Sequence, residues 1–123
     1  MSTTVVAGVQ ATPVMLDRDG TVEVVVRKVK EASALGAQVI VFPEAFVPGY
    51  PDWVWRTTPW ADGEADWYVR LVESAVTVPS SATEAIGAAA AEANANVVVG
   101  IDELGDSGHS LYNTLLFFGS SGD

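Results

Sequence analysis

The feature that most constrains this fold is a run of apolar residues, QVIVF, at positions 38–42. Such a run is typical of a strand that is covered on both faces of a parallel or mixed sheet. A β-branched run at 4–10 predicts another short strand, and apolar residues recur at helical spacing over 20–35. The order strand, helix, strand predicts a βαβ unit.

The remaining segments extend this α/β pattern. Ser81 followed by Glu84 predicts a capping box at the start of a helix. A polar segment at 102–110 predicts the turn of a hairpin. In chain order the pattern predicts a helix at 64–76, a helix from Ser81 to about Ala93, and strands at 96–101 and 111–118. The order β-α-β-α-α-β-β indicates a layered α/β fold, and 123 residues suit one domain.

Composition excludes several classes of function. Sixteen acidic and six basic residues give a net charge of −10, and the basic residues are spread over several elements. We therefore predict no nucleic-acid partner and no anionic membrane surface, and a neutral small molecule fits better. The N-terminus lacks a secretory pattern, and no apolar run approaches the ~20 residues needed to cross a bilayer, so we predict a cytoplasmic protein.

The sequence contains no cysteine. This excludes a disulfide framework, a thiolate metal site and a thiol nucleophile supplied by these residues. The absence of a GxGxxG or Walker pattern also argues against nucleotide binding.

Glu44 is the one carboxylate in an otherwise apolar stretch, FPEAFVPGYP, at 42–51. It follows a predicted strand by two residues, and ligand-binding groups collect past the carboxyl ends of strands in such sheets. Between Phe42 and Phe46, a carboxylate would be a good proton acceptor near neutral pH. The alternative is a structural role, in which Glu44 caps a backbone amide or pairs with Arg56.

The other candidate residues have both structural and functional interpretations. The aromatic residues of the proline-rich segment 43–63 either line an apolar pocket or pack that loop against the body or a partner; they are Tyr50, Trp53, Trp55 and Trp60. Asn113 lies in an apolar strand, where structural hydrogen bonding is favoured over support of a site. We interpret His109 as a solvated turn residue. Asp102 and Glu103 should point to opposite faces of a strand.

The stretch FPEAFVPGYP resembles the sequence around the catalytic glutamate of nitrilases, in the carbon–nitrogen hydrolase superfamily. The segments GAQVIVFPEAF, GYPDWVW, ANVVVGI and LYNTLLFF resemble successive nitrilase segments and span nearly all of this chain. The PGYP continuation favours the nitrilase branch over the amidase branch. The resemblance implies the N-terminal part of an α-β-β-α sandwich, incomplete here, with residues 1–123 forming a single partial hydrolase domain.

The resemblance further implies hydrolysis of a nitrile to a carboxylic acid and ammonia, with no metal or organic cofactor. In the family, a cysteine thiolate attacks the nitrile carbon to form a thioimidate, a glutamate is the general base, and a lysine stabilises developing charge. Only the glutamate carries over, to Glu44. The substrate-pocket candidates are Tyr50, Trp53, Trp55 and Asn113.

The resemblance places the family's lysine and cysteine after the strand LYNTLLFF, beyond this chain. Lys28 and Lys30 lie on the first predicted helix, in the wrong place to substitute. We therefore expect this chain alone to be inactive. Uncovered strand faces would favour a homo-oligomer or pairing with a complementing C-terminal chain.

Two other functions remain open at this stage. The chain could be a non-catalytic assembly or binding module, or it could be part of an amidase-branch hydrolase. Independent acid–base chemistry at Glu44 is least favoured, because no second carboxylate has a convincing relation to it in the sequence.

Overall fold

A computed structural model describes residues 2–58 and 61–123. Its elements, in chain order, are β1 (Val6–Gly8), α1 (Arg18–Ala34), β2 (Val39–Val41), a short 3-10 helix (Asp52–Trp55), α2 (Glu64–Ser74), α3 (Ser81–Ala93), β3 (Asn96–Leu104) and β4 (Leu111–Phe118). The predicted α/β class and the predicted order of helices and strands are confirmed.

The four strands form one sheet in the order β1-β2-β3-β4. The first three strands are parallel, and β4 is antiparallel to β3, as the predicted hairpin requires. The predicted boundary of β3 is wrong, because the strand continues to Leu104, which pairs with Leu111. On the other edge of β3, the Leu104 amide donates to the Val76 carbonyl at 2.9 Å, as part of an isolated parallel bridge between Val76 and Glu103.

One face of the sheet is covered by helices, and we call it the covered face. Helices α1 and α3 pack against each other and against this face. The strand residues that point into this core are fully buried; they include Ile40, Val97, Val99 and Ile101. The predicted apolar stripe of α1 contributes buried residues to the same core: Val22, Val25, Val29 and Ala32. The hydrophobic core therefore lies between one sheet face and two helices.

The opposite side, which we call the open face, carries apolar residues that no helix covers. Strand alternation places Val6, Val41, Leu115 and Phe117 there. Leu115 is 53% and Phe117 is 72% exposed. The expectation that 38–42 is covered on both faces is wrong here, because Val41 is 38% exposed whereas Ile40 is fully buried. The predicted uncovered face of β4 is present.

The start of α3 differs from the predicted capping box. Ser80, with extended backbone, is the N-cap residue, and Ser81 is already helical. The Thr83 hydroxyl accepts from the Ser80 amide at 2.9 Å and donates to the Ser80 carbonyl at 2.8 Å. The predicted capping pair, Ser81 and Glu84, is therefore wrong by one residue, because the observed pair is Ser80 and Thr83. Within the described ranges, no helix combines the length and apolar character needed to cross a membrane.

Candidate active site

The segment that carries Glu44 runs along the edge of β3 beyond the end of β2. The Phe42 amide donates to the Val98 carbonyl at 2.8 Å, and the Val47 amide donates to the Gly100 carbonyl at 3.1 Å. These two backbone hydrogen bonds anchor the segment on both sides of Glu44. The carboxylate is therefore held at the end of β2 by backbone pairing, as its position after the strand predicts.

Gly100 allows this segment to approach the sheet. A Cβ atom at Gly100 would lie 2.4 Å from the Pro43 carbonyl oxygen and 2.8 Å from the Glu44 Cα. Any side chain at that position would push the segment away from β3. This close backbone approach fixes the distance between the Glu44 segment and the open face.

Asn113 holds the Glu44 carboxylate directly. Its Nδ2 donates to Glu44 Oε1 at 2.5 Å, and both residues are exposed. The predicted need of the Asn113 amide for a hydrogen-bond partner is met by Glu44, and whether this bond is structural or supports a site stays a prediction. The alternative pairing of Glu44 with Arg56 is wrong, because Arg56 forms an ion pair with Asp52.

The apolar neighbours of Glu44 do not enclose it. Phe42 and Phe46 are 3% and 2% exposed, belong to the core and lie with ring centroids 5.5 Å apart. Glu44 points away from them and is exposed. The predicted apolar surrounding of Glu44 is therefore wrong for the described residues. The backbone of the loop directs both phenylalanine rings into the core, whereas the carboxylate lies on the open face.

Asp102 is the carboxylate that the sequence interpretation missed. It lies directly opposite Asn113 in the ladder between β3 and β4. It is 7% exposed, and burial, followed by the negative charge of Glu44, raises the pKa of Asp102 to about 7. The statement that no second carboxylate relates to Glu44 is therefore wrong.

A signal for Asp102 was present in the sequence. Gly100 and Asp102 are two residues apart and must share a strand face. The register of the hairpin pairs Asp102 with Asn113 and so places Asn113 on that face as well, but the sequence alone does not give this register. The predicted divergence of Asp102 and Glu103 is confirmed, because Glu103 Oε2 accepts from the Thr114 hydroxyl at 2.7 Å on the other side. His109 is exposed in the turn.

The aromatic candidates form contacts separate from Glu44. Trp55 Nε1 donates to the Tyr50 hydroxyl at 3.3 Å, and both side chains are exposed. Trp53 packs on Trp67 of α2, with ring centroids 5.7 Å apart. Within 2–58 and 61–123, no hydrogen bond or ring contact joins these residues to Glu44. The fourth candidate, Trp60, lies outside the described residues.

The lysines of α1 lie away from the candidate site. Helix α1 packs on the covered face, and Lys28 Nζ pairs with Glu31 Oε2 at 2.6 Å. The expectation that Lys28 and Lys30 cannot act beside Glu44 agrees with this placement. In the part of the chain that the structure describes, no group of three or more acidic, histidine or cysteine side chains could hold a metal ion.

Sequence comparisons identify relatives across nearly the whole chain. Residues 5–123 match the carbon–nitrogen hydrolase family. A nitrilase of Bacillus sp. (strain OxB-1) is 42% identical over 118 residues, which are 96% of this chain and 33% of that protein. An aliphatic nitrilase of Rhodococcus rhodochrous is 41% identical over 117 residues, which are 95% of this chain and 31% of that protein. The chain therefore spans about a third of the length of these curated relatives.

Solved structures share the fold at low sequence identity. An amidase from Nesterenkonia sp. superposes with a TM-score of 0.64 at 21% identity, over 96% of this chain and 39% of that one. A glutamine-dependent NAD(+) synthetase from Cytophaga hutchinsonii superposes with a TM-score of 0.58 at 15% identity, over 98% of this chain and 18% of that one. The fold, the sequence relatives and the family match over 5–123 agree: the chain belongs to the carbon–nitrogen hydrolase family.

Proposed function

We propose that this chain supplies the general base, Glu44, for the hydrolysis of a nitrile to a carboxylic acid and ammonia. The observation that carries the proposal is the anchored position of Glu44 on the open face, with Asn113 bound to one of its oxygens. The nitrilases at 41% and 42% identity support a nitrile as the substrate class.

In this mechanism, Glu44 removes the proton from a cysteine thiol. The resulting thiolate attacks the nitrile carbon and forms a thioimidate, which water then converts to the acid with release of ammonia. Asn113 occupies Oε1 of Glu44 and so leaves Oε2 to take the proton. Because Glu44 is exposed, a thiol arriving from the solvent side can reach it.

The thiol must come from residues that this sequence does not contain, because these 123 residues include no cysteine. A homo-oligomer of the chain would have the same deficiency. We therefore propose that the catalytic partner is a complementing C-terminal segment, and that the chain alone is inactive. The exposed apolar residues of the open face, including Leu115 and Phe117, offer a surface for that segment.

The remaining functional assignments belong to the same proposal. Tyr50, Trp53 and Trp55 are substrate-pocket candidates, and the exposed contact between Tyr50 and Trp55 could receive a small apolar substrate. The net charge of −10 favours a neutral substrate over an anion. Residues 1–123 act as one partial domain, and a cytoplasmic location stays a prediction.

A second function, a non-catalytic assembly module, is favoured by one pair of observations. The open face is apolar and exposed, and the sequence has no cysteine. In that case the chain would bind a complementing segment through the open face without contributing to turnover.

Complementation separates these functions. The chain is mixed with the separately produced segment of the Bacillus sp. nitrilase that follows its matched part, and ammonia release from aromatic and aliphatic nitriles is measured. We expect turnover in the mixture and not in either component. Glu44→Gln should reduce turnover by about 10²- to 10⁴-fold, the usual contribution of a general base.

Glu23→Gln is the matched control, because Glu23 is an exposed carboxylate on α1. This variant should retain full turnover in the mixture. A mixture that forms a complex on size-exclusion chromatography but releases no ammonia would favour the assembly module instead.

A further inference from the structure

Asp102 faces Glu44, and nothing in the proposed hydrolysis uses it. Strand alternation puts Asp102 on the same face as Gly100, over which the Glu44 segment lies. The ladder also places Asp102 opposite Asn113, the residue that binds Glu44. Three polar side chains from a loop and two strands therefore converge at one point of the open face.

The surroundings of Asp102 provide little support for a negative charge. The residue as a whole is more than nine-tenths buried, and Oδ2 is buried without a hydrogen-bond partner among the described residues. Asn113 Nδ2, an amide donor on the neighbouring strand, is bound to Glu44. A carboxylate with a buried oxygen that no donor reaches favours its neutral form.

The groups that face Asp102 also favour the neutral form of its carboxyl group. From the loop, Glu44 faces it with a negative charge. From β4 it meets Asn113, which is neutral, and from the segment after α2 it meets the backbone of Val76. Glu103 points to the other face. No lysine or arginine in the described ranges forms a salt bridge with Asp102.

We propose that Asp102 is a positioning residue of the Glu44 site, held as the neutral acid while Glu44 is ionised, so that the two carboxyl groups carry one negative charge. This inference rests on the proposed role of Glu44 as the base. The neutral carboxyl group avoids charge repulsion beneath the loop and keeps Glu44 bound to Asn113. When Asp102 ionises, repulsion displaces Glu44 from this position.

The raised pKa of Asp102, about 7, agrees with the geometry, and burial is the larger of its two causes. The hydrogen bond between Asn113 and Glu44 should therefore be retained below pH 7 and lost as the pH rises above 7. This pH dependence follows from the electrostatic interaction between two carboxyl groups that both neighbour Asn113.

The test is a carbon-13 NMR titration of the side-chain carboxyl groups in the purified chain, from pH 3 to 9. We expect the Asp102 carboxyl carbon to titrate with a midpoint near 7 and the midpoint to fall in Glu44→Gln. Asp106→Asn, in the exposed turn, should leave the midpoint unchanged. The inference would be overturned by an Asp102 midpoint near 4 in the unaltered chain, or by a midpoint that is the same in the unaltered chain and in Glu44→Gln.

A pH–rate profile of the complemented mixture tests the positioning role. Asp102→Asn imitates the neutral acid, so this variant should fold and should retain turnover above pH 7, where the unaltered chain loses it. Identical profiles would show that Asp102 has only a structural role. The titration requires no turnover, so failure of the proposed hydrolysis and failure of this inference are distinguishable.

Discussion

The two faces of the sheet differ in what they contribute to the molecule. The covered face consists of fully buried aliphatic residues, such as Ile40 and Ile101, packed under two helices. The open face combines exposed apolar residues with the group formed by Glu44, Asn113 and Asp102. One face therefore stabilises the fold through its buried core, while the other presents exposed apolar side chains beside the Glu44 group.

The sharpest test of this contrast uses two adjacent phenylalanines of β4. Phe118 is 8% exposed and belongs to the core, whereas Phe117 is 72% exposed on the open face. We expect Phe118→Ala to lower the free energy of unfolding by about 3–5 kcal/mol, because it removes buried surface and leaves a cavity. Phe117→Ala should change it by about 0.5 kcal/mol or less. Denaturant unfolding of both variants measures the difference, and equal losses would refute the contrast.

The second prediction concerns pH and the buried carboxyl group of the open face. Below pH 4 both the folded and unfolded states hold the Asp102 proton, and between about 4 and 7 only the folded state holds it. Stability should therefore fall as the pH rises across this range, and this contribution should become constant above pH 7.

The expected size of this fall is on the order of 4 kcal/mol, from about three pH units at 1.36 kcal/mol each. It is measured as the difference between the unfolding free energies of the unaltered chain and Asp102→Asn from pH 4 to 8. A difference that does not vary with pH would show that Asp102 is ionised throughout.

Two strand glycines provide the third prediction. Gly100→Ala places a Cβ against the backbone of Pro43 and Glu44, so the segment must shift, and we expect a loss of about 1–3 kcal/mol. Gly8→Ala is the matched control, because a Cβ at Gly8 meets nothing within 4 Å. That variant should be neutral or more stable by about 0.5–1 kcal/mol. Thermal unfolding distinguishes the two, and a stable Gly100→Ala protein would contradict the described approach.

The smallest expected effect on stability comes from Asn113→Ala. The Asn113 side chain is exposed, so unfolding free energy should change by about 0.5 kcal/mol or less. Turnover in the complemented mixture should fall about tenfold, as expected for the loss of one hydrogen bond worth about 1.4 kcal/mol. Asn96→Ala, an exposed asparagine on the same face, should leave turnover unchanged. Equal turnover in both variants would show that Asn113 does not contribute to the proposed Glu44 site.

The sequence predicts the elements of the covered face well, because helical and strand periodicity report burial directly. Helix α1 begins at Arg18, two residues before its predicted start at position 20, because Asp17 caps it by accepting from the Gly20 amide at 2.9 Å. The capping residue of α3 was misplaced by one position because Ser80 and Ser81 are adjacent and both suit an N-cap. These errors are local and leave the order of elements unchanged.

The candidate site was only partly predictable. Glu44 could be identified because its sequence surroundings are distinctive, but its exposure could not, since neighbouring loop side chains diverge according to the backbone path. Asp102 and Asn113 meet Glu44 through the register of β3 and β4, which is long-range information. Periodicity within one segment gives no information about how two strands are aligned with each other.

The most direct test of the central claim is ammonia release by a chimera. In it, residues 1–123 replace the matched segment of the Bacillus sp. nitrilase, so that base and thiol are covalently connected. We expect the chimera to hydrolyse a nitrile, Glu44→Gln to lower kcat/KM by at least about 10²-fold, and Glu23→Gln to have no effect. A Glu44→Gln chimera with the kcat/KM of its parent would contradict the assignment of Glu44 as the general base.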